Sequence, residues 1–398
     1  MVDLFATEDD DIDIQDAEAE ADKKGRAAAA PAVQPVPPPR ENAELIGHEA
    51  AEQALLSDFY NNKLPHALVL TGPSGIGKAT FAFRLARFLF SQAADGGDSL
   101  FGLPDKATSL FVKPEDPVFR RVASGGHADL LTVEREFDDK KDRLKTEISV
   151  DAVRKINPFL RKTSAEGGWR VVIIDQAEYL NNNGQNALLK ILEEPPQKTL
   201  LILTTSRPGA FLPTIRSRCR FLDLSPLDEK NLQQLLSRYA DIVDPRQAQG
   251  ICRLAEGSIG RALQLADGKG MAFYQQLCDV FLSAPGMDML KAHDFAEKHG
   301  RYGAEKEYEA ICDMMSWIVA RALRLMARGE DPVDILPGDA AVYRHIIAAY
   351  GQRGLLTLND ALAQVFYQTD VANLDKRQAL LSAFSQIQKP RELLPLAG

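Results

Sequence analysis

From Leu64 onward the chain alternates short apolar runs with amphipathic stretches. An apolar run at His66–Leu70 leads through a glycine-rich turn into the amphipathic segment Ala79–Phe90, and further runs stand at Trp169–Ile174, Thr199–Thr204 and Arg220–Leu224. Runs of this length bounded by turn residues predict buried strands, and helical periodicity between them predicts a parallel sheet covered on both faces. After Ser225-Pro226 the strand signals stop and helical periodicity continues to the end. Its clearest stripe is Tyr308, Ile311, Cys312, Met315, Ile318, Ala322 and Leu325, with Gly329 placed to cap it. A second stripe, Ala379, Leu380, Phe384 and Ile387, stops before Pro390. The pattern therefore predicts an α/β domain over residues 41–225, a small helical unit over 226–268 and an all-helical unit over 270–398.

A length of 398 residues agrees with two or three compact units, and 45% hydrophobic with 26% charged residues is an ordinary globular composition. The net charge of −9 is local: the first 22 residues hold ten acidic side chains and no basic one, and beyond them 47 basic residues face 46 acidic ones. Net charge thus supplies no general attraction for nucleic acid. The acidic block runs into five prolines between Pro31 and Pro39, a composition that cannot repay folding entropy, so residues 1–40 read as a disordered tail. Cys219, Cys252, Cys278 and Cys312 form no CxxC pair, which predicts buried thiols and neither a zinc knuckle nor a redox site. The acidic start and the lack of any run of about 18 apolar residues predict a cytoplasmic protein with no membrane segment.

The chemistry concentrates around Gly72-Pro73-Ser74-Gly75-Ile76-Gly77-Lys78, between a predicted strand and a predicted helix. In that context Gly72, Gly75 and Gly77 let backbone N–H groups converge on a phosphate, the helix N-terminus adds its dipole, and Lys78 bridges the terminal phosphates. The next residue should offer a hydroxyl to magnesium, yet it is Ala79; Thr80 comes one position later, turned by about 100° around the helix. Asp175, at the end of a buried strand 97 residues beyond Lys78, supplies the second half of such a site. A hydrolysing version needs a carboxylate base next, where Gln176 stands; Glu178 must reach back to serve. Either loss costs orders of magnitude in rate, so the residues predict a phosphate-binding fold without turnover of its own, with weak ATP, ADP or phosphate binding as its residual capacity.

These motifs resemble the clamp-loader ATPase group of the AAA+ class, over roughly residues 43–265. Asn186-Ala187-Leu188-Leu189-Lys190-Ile191-Leu192-Glu193-Glu194-Pro195-Pro196 is similar to the helix after the group's second carboxylate strand. Leu212-Pro213-Thr214-Ile215-Arg216-Ser217-Arg218-Cys219 resembles its Ser-Arg-Cys signature, whose arginine reaches the nucleotide of a neighbouring subunit. The resemblance assigns that role to Arg218; the plain alternative is pairing with a carboxylate near the strand that begins at Arg220. It also assigns a polar sensor to Thr205 and a second sensor to Arg261 in Gly257-Ser258-Ile259-Gly260-Arg261. Arg261 in a first helical turn opposes the dipole by about 0.3–1 kcal/mol, a cost that suits an anion-facing side chain; a solvated arginine is its alternative.

The implied fold is a P-loop AAA+ domain with a parallel sheet, then a helical lid and a helical collar that oligomerises. The implied function is a non-hydrolysing subunit of a clamp loader of DNA polymerase III, acting in a hetero-oligomer with ATPase subunits and a clamp-opening subunit. Through them it meets the sliding clamp and primed DNA. The group often carries a zinc-binding cysteine cluster, but residues 91–147 contain no cysteine and only one histidine, His127, so no zinc is expected. The run Glu134 to Arg143 reads as a solvated loop. Two rivals remain: an active ATPase motor with Thr80 or water in place of the magnesium hydroxyl and Glu178 as base, and a small-molecule kinase, which the long helical C-terminus disfavours.

Overall fold

A computed structural model describes residues 35–94, 106–138 and 143–388, apart from positions 167, 243, 268, 285, 302 and 373. The elements of the first part are α1 (Glu49–Tyr60), β1 (Ala67–Thr71), α2 (Lys78–Ala94), α3 (Pro117–Ala123), β2 (Leu130–Val133), the short hairpin β3 (Phe137–Asp138) and β4 (Arg143–Leu144), α4 (Val150–Arg154), α5 (Ile156–Arg161), β5 (Arg170–Ile174), α6 (Asn182–Glu193), β6 (Thr199–Thr205), α7 (Pro213–Arg216) and β7 (Arg220–Asp223). Five strands form one parallel sheet in the order β2-β5-β6-β1-β7.

Every residue of β5, β6 and β1 is buried, and the middles of these strands, packed on both faces, are apolar, with Thr71, Arg170, Thr199, Thr204 and Thr205 at their ends. Their side chains still sort by the two-residue period. Leu68, Leu70, Val171, Ile173, Leu200 and Ile202 meet Phe81, Leu85, Phe88 and Leu89 of α2 on one face. Ala67, Val69, Val172, Ile174, Leu201 and Leu203 meet Val153, Ile156, Leu160, Leu188 and Ile191 on the other. The four strands expected from the sequence are all present, and β2 joins them as an edge strand with little apolar alternation to announce it.

The second part is helical: α8 (Glu229–Tyr239), α9 (Pro245–Ala255), α10 (Ile259–Ala266), α11 (Gly270–Leu282), α12 (Met289–His299), α13 (Glu305–Arg328), α14 (Asp339–Ala372) and α15 (Lys376–Ile387). One apolar cluster runs through it from Leu227 to Ile387 and includes both predicted stripes, with Leu325 partly buried. Gly329 caps α13 in the left-handed conformation, as expected. α14 breaks at Gly351, whose φ of +63° and ψ of −179° only glycine adopts at low cost. Among the described residues no helix is long and apolar enough to cross a membrane.

Two expectations need correction. The disorder predicted over 1–40 does not hold for its last residues: residues 1–34 lie outside the described residues, but Val36, Pro37 and Pro39 line a cavity of the α/β domain, and buried Arg87 donates to the carbonyls of Arg40 and Asn42 at 3.0 and 2.7 Å. Arg87 sits above the ring of Phe119, and desolvation lowers its pKa to about 10, so these carbonyls and the ring are what a buried guanidinium needs. The charged run Glu134 to Arg143 holds the β3–β4 hairpin, with residues 139–142 outside the described residues.

His127 closes the face behind β2. It is 3% exposed and stacks on Phe90 with ring centroids 3.9 Å apart. The Asp129 N–H donates to its Nδ1 at 3.3 Å, which requires an unprotonated Nδ1. Burial holds its pKa below 6.5, against a smaller opposing pull from Glu166. The folded state therefore refuses a proton that the unfolded chain accepts, and this contribution to stability is present above about pH 6.5 and lost as pH falls toward the folded pKa. Melting temperature against pH is expected to decline on that acid limb, and His127→Gln to flatten that part of the decline.

Candidate functional site

The C-terminal ends of β1, β5 and β6 open on a cavity of about 630 Å³, a size that suits a nucleotide. Its floor is Ser74–Lys78, the part of the loop that follows Gly72 and Pro73. Gly72 (φ +137°) could not carry a side chain, because a Cβ would stand 2.4 Å from the Leu224 carbonyl oxygen. The buried His48 Nε2–H donates to the Ile76 carbonyl at 2.7 Å and pins the loop's far side. Lys78 folds back to donate to the carbonyls of Gly72 and Pro73 at 2.8 and 2.6 Å, so the loop keeps its shape through its own lysine. Desolvation pulls the Lys78 pKa down, while Glu178 and Asp175 pull it back up.

The second wall is a hydroxyl–carboxylate bridge. Thr204 donates to Asp175 Oδ1 at 2.6 Å, and its Oγ1 accepts the Gln176 N–H at 2.9 Å. Gln176 turns the chain in the left-handed region, φ +52°. Its side-chain oxygen accepts from Arg135 Nη2 at 2.9 Å, and the Arg135 guanidinium lies 3.9 Å over the ring of Tyr179. At the position where hydrolysis needs a base, the side chain is thus a hydrogen-bond acceptor for an arginine. Glu178 does reach the cavity; its Oε1 accepts from the Ser206 N–H and hydroxyl at 3.1 and 2.5 Å.

Ile46, Leu235, Tyr239, Ile259 and Leu263 form an apolar third wall that suits a base. The first turn of α10 then lies directly on the phosphate loop. Ser258 donates to the Ser74 carbonyl at 2.8 Å, the Gly260 N–H donates to Gly75 O at 3.0 Å, and a Cβ on either glycine would stand 3.0 Å from the other's Cα. The residue of this turn that faces the loop is Gly260. Arg261, one position on and about 100° around the helix, points away, with its guanidinium 4.9 Å over Trp317 of α13. Burial lowers its pKa, opposed by Asp313 and Glu256. Neither the phosphate-facing place nor the solvated alternative describes it: it is a cation–π contact between α10 and α13.

The remaining site residues separate into those at the cavity and one away from it. Gly75, Gly77, Lys78, Asp175 and Thr205 come together around the cavity. Thr205 is fully buried and its Oγ1 accepts the Arg207 N–H at 3.0 Å, which is turn chemistry, whereas Thr204 makes the bridge. Arg218 stays apart from the cavity's lining, with its Nη2 2.9 Å from Glu193 Oε1 and Nη1 donating to the Thr214 carbonyl at 3.0 Å. Cys219 beside it is a filler whose thiol burial pushes up to about 11.

Ala79 brings no hydroxyl beside Lys78, Thr80 is buried but lines the cavity, and Asp175 Oδ1 accepts from Thr204. Among the described residues no cluster of three or more His, Cys, Asp or Glu is arranged to hold a metal.

Residues 47–228 match the sequence model of the family described as DNA polymerase III, delta subunit. Over that stretch, somewhat less than half of its length, the chain is similar to this family. It is 30% identical over 237 residues to DNA polymerase III subunit delta' of Escherichia coli (strain K12), covering 59% of this chain and 65% of the relative. The delta' subunit of Pseudomonas aeruginosa is 39% identical over 156 residues, 39% of this chain and 41% of its own. The tau subunit of E. coli is 29% identical over 233 residues, 58% and 33% of the two chains. This chain therefore spans less than two thirds of each of these relatives. A gamma subunit-related protein of Thermotoga maritima superposes on 84% of this chain and 99% of its own with 17% identity and a TM-score of 0.36, too loosely to bear on function.

Sequence reasoning passed over His48, Thr204 and Gly260. His48 and Gly260 carried no local signal, since each acts on a loop far along the chain. Thr204 adjoins Thr205 at the strand end, and only the register of β6 against β5 distinguishes them. Because Thr204 satisfies a carboxylate and a backbone N–H at once, Thr204→Val is expected to cost about 1–3 kcal/mol in urea-denaturation stability.

Proposed function

We propose that this chain is the non-hydrolysing, delta'-type subunit of a DNA polymerase III clamp loader. It works in a hetero-oligomer with ATPase subunits and a clamp-opening subunit, and supplies Arg218 in trans to a neighbour's nucleotide. The observation that carries this reading is the split between its two halves of chemistry. The chain's own phosphate loop lacks a magnesium hydroxyl and a base, while Arg218 stands on the surface outside its own cavity, 36% exposed along its side chain. A guanidinium so placed cannot serve the nucleotide of its own subunit. Offered to a neighbour, it neutralises charge that grows on the transferring phosphoryl group.

In this reading the lid over 226–268 and the collar over 270–398 hold the subunit in the ring, and the ring places the sliding clamp on primed DNA in the cytoplasm. DNA contacts go mainly to phosphates, because loading must occur at any primer junction. The cavity retains a weak capacity for ATP, ADP or phosphate and needs neither cofactor nor zinc. The motor reading has two observations in its favour: Glu178 and Thr80 both line the cavity.

ATP turnover separates the two. With the chain assembled with its partner ATPase subunits, Arg218→Ala is expected to lower turnover at the neighbouring site by on the order of 10³-fold, while Lys78→Ala leaves turnover of the assembly unchanged. Equal losses from both, or brisk Lys78-dependent hydrolysis by the isolated chain, would establish the motor instead.

A further inference from the structure

We propose that Glu193 is the positioning residue for Arg218, an inference that rests on the trans role of that arginine. The two lie 25 positions apart in strings that look unrelated, one a helix end before two prolines and the other a loop before a strand. α7 packs on α6 and brings them together, with Arg218 Nη2 2.9 Å from Glu193 Oε1. Nη1 donates to the Thr214 carbonyl at 3.0 Å and to Ser217 Oγ at 3.3 Å. Among the described residues Nε–H takes no partner, so the guanidinium is held from its Nη atoms with donor capacity left.

Two further features favour positioning over a chance surface contact. Glu193 is the last residue of α6, where the negative end of the helix dipole disfavours a carboxylate, and Arg218 is the charge that offsets it. Pro195 and Pro196 come directly after Glu194 and restrict the backbone beyond that carboxylate. The pair is also open to a docking neighbour, its side chains being 36% and 51% exposed. An unpaired arginine would lose its rotamer freedom only when the neighbour's phosphates arrive; one already held meets them with that ordering done.

The test is a double-mutant cycle on ATP turnover in the complete clamp-loader assembly, with Glu193→Ala, Arg218→Ala and the double variant, and Glu193→Gln as the conservative change. Glu193→Ala is expected to lower kcat at the neighbouring site by on the order of 10-fold with KM for ATP unchanged, the signature of lost transition-state orientation. Glu193→Gln should fall between it and the unsubstituted protein, and the double variant should be no worse than Arg218→Ala alone. A Glu193→Ala or Glu193→Gln assembly with unchanged or raised kcat, beside an impaired Arg218→Ala, would remove the role of Glu193 and leave that of Arg218 standing. Unchanged turnover in Arg218→Ala itself would remove both. A Glu193 effect that simply adds to that of Arg218 would also overturn the proposal, because a general structural role predicts it.

Discussion

The insertion of β6 between β1 and β5 is the constraint on which the rest of the molecule depends. Parallel pairing sets Leu70 beside Thr204 and Thr71 beside Thr205 on one side, and Ile174 beside Leu203 on the other. Three strands then end together at one edge, and each brings its own chemistry there: the phosphate loop after β1, Asp175 after β5, Thr204 within β6. A shift of one residue in this register would turn Thr204 to the opposite face and leave Asp175 without its donor.

That edge holds the cavity lined by the phosphate loop, Asp175, Thr204 and the apolar wall. The phosphate loop, the apolar wall and the Thr204–Asp175 bridge are each held by interactions internal to the chain. Lys78 satisfies the loop's own carbonyls, and the Gly75–Gly260 contact closes the lid turn onto the loop backbone to backbone. Ala79 brings no hydroxyl, Gln176 no carboxylate and Gly260 no side chain to this edge, while Thr80 and Glu178 line the cavity. The exposed guanidinium of Arg218 lies on another surface, and the ion pair with Glu193 gives it a fixed orientation there.

Legibility from sequence tracked the range of the interaction. The strands β1, β5 and β6 announced themselves because both their faces are buried, which makes their central positions apolar without alternation. β2 did not, since its four residues sit at the sheet edge and are mostly half-buried. The stripes of α13 and α15 were plain because one side of a long helix repeats the same demand every turn. At the site the P-loop and Asp175 were legible because their chemistry is local to a strand–turn–helix string. Arg261 was misplaced by a single position: a one-residue step on α10 separates the residue on the phosphate loop from the one on Trp317, and spacing alone does not say which direction is which.

The sequence by itself determined the covalent inventory and its local conformations: a glycine loop ending in lysine, a carboxylate at a strand end, no hydroxyl at residue 79, and an arginine before a cysteine. Those come from residue identity and periodicities of two and 3.6, which act over a few residues. Tertiary structure decided the partnerships, namely Thr204 with Asp175, Gly260 with Gly75, Arg261 with Trp317 and Arg218 with Glu193. Each joins segments whose separation along the chain carries no information about direction or distance, and only the packing of helices against one sheet supplies both.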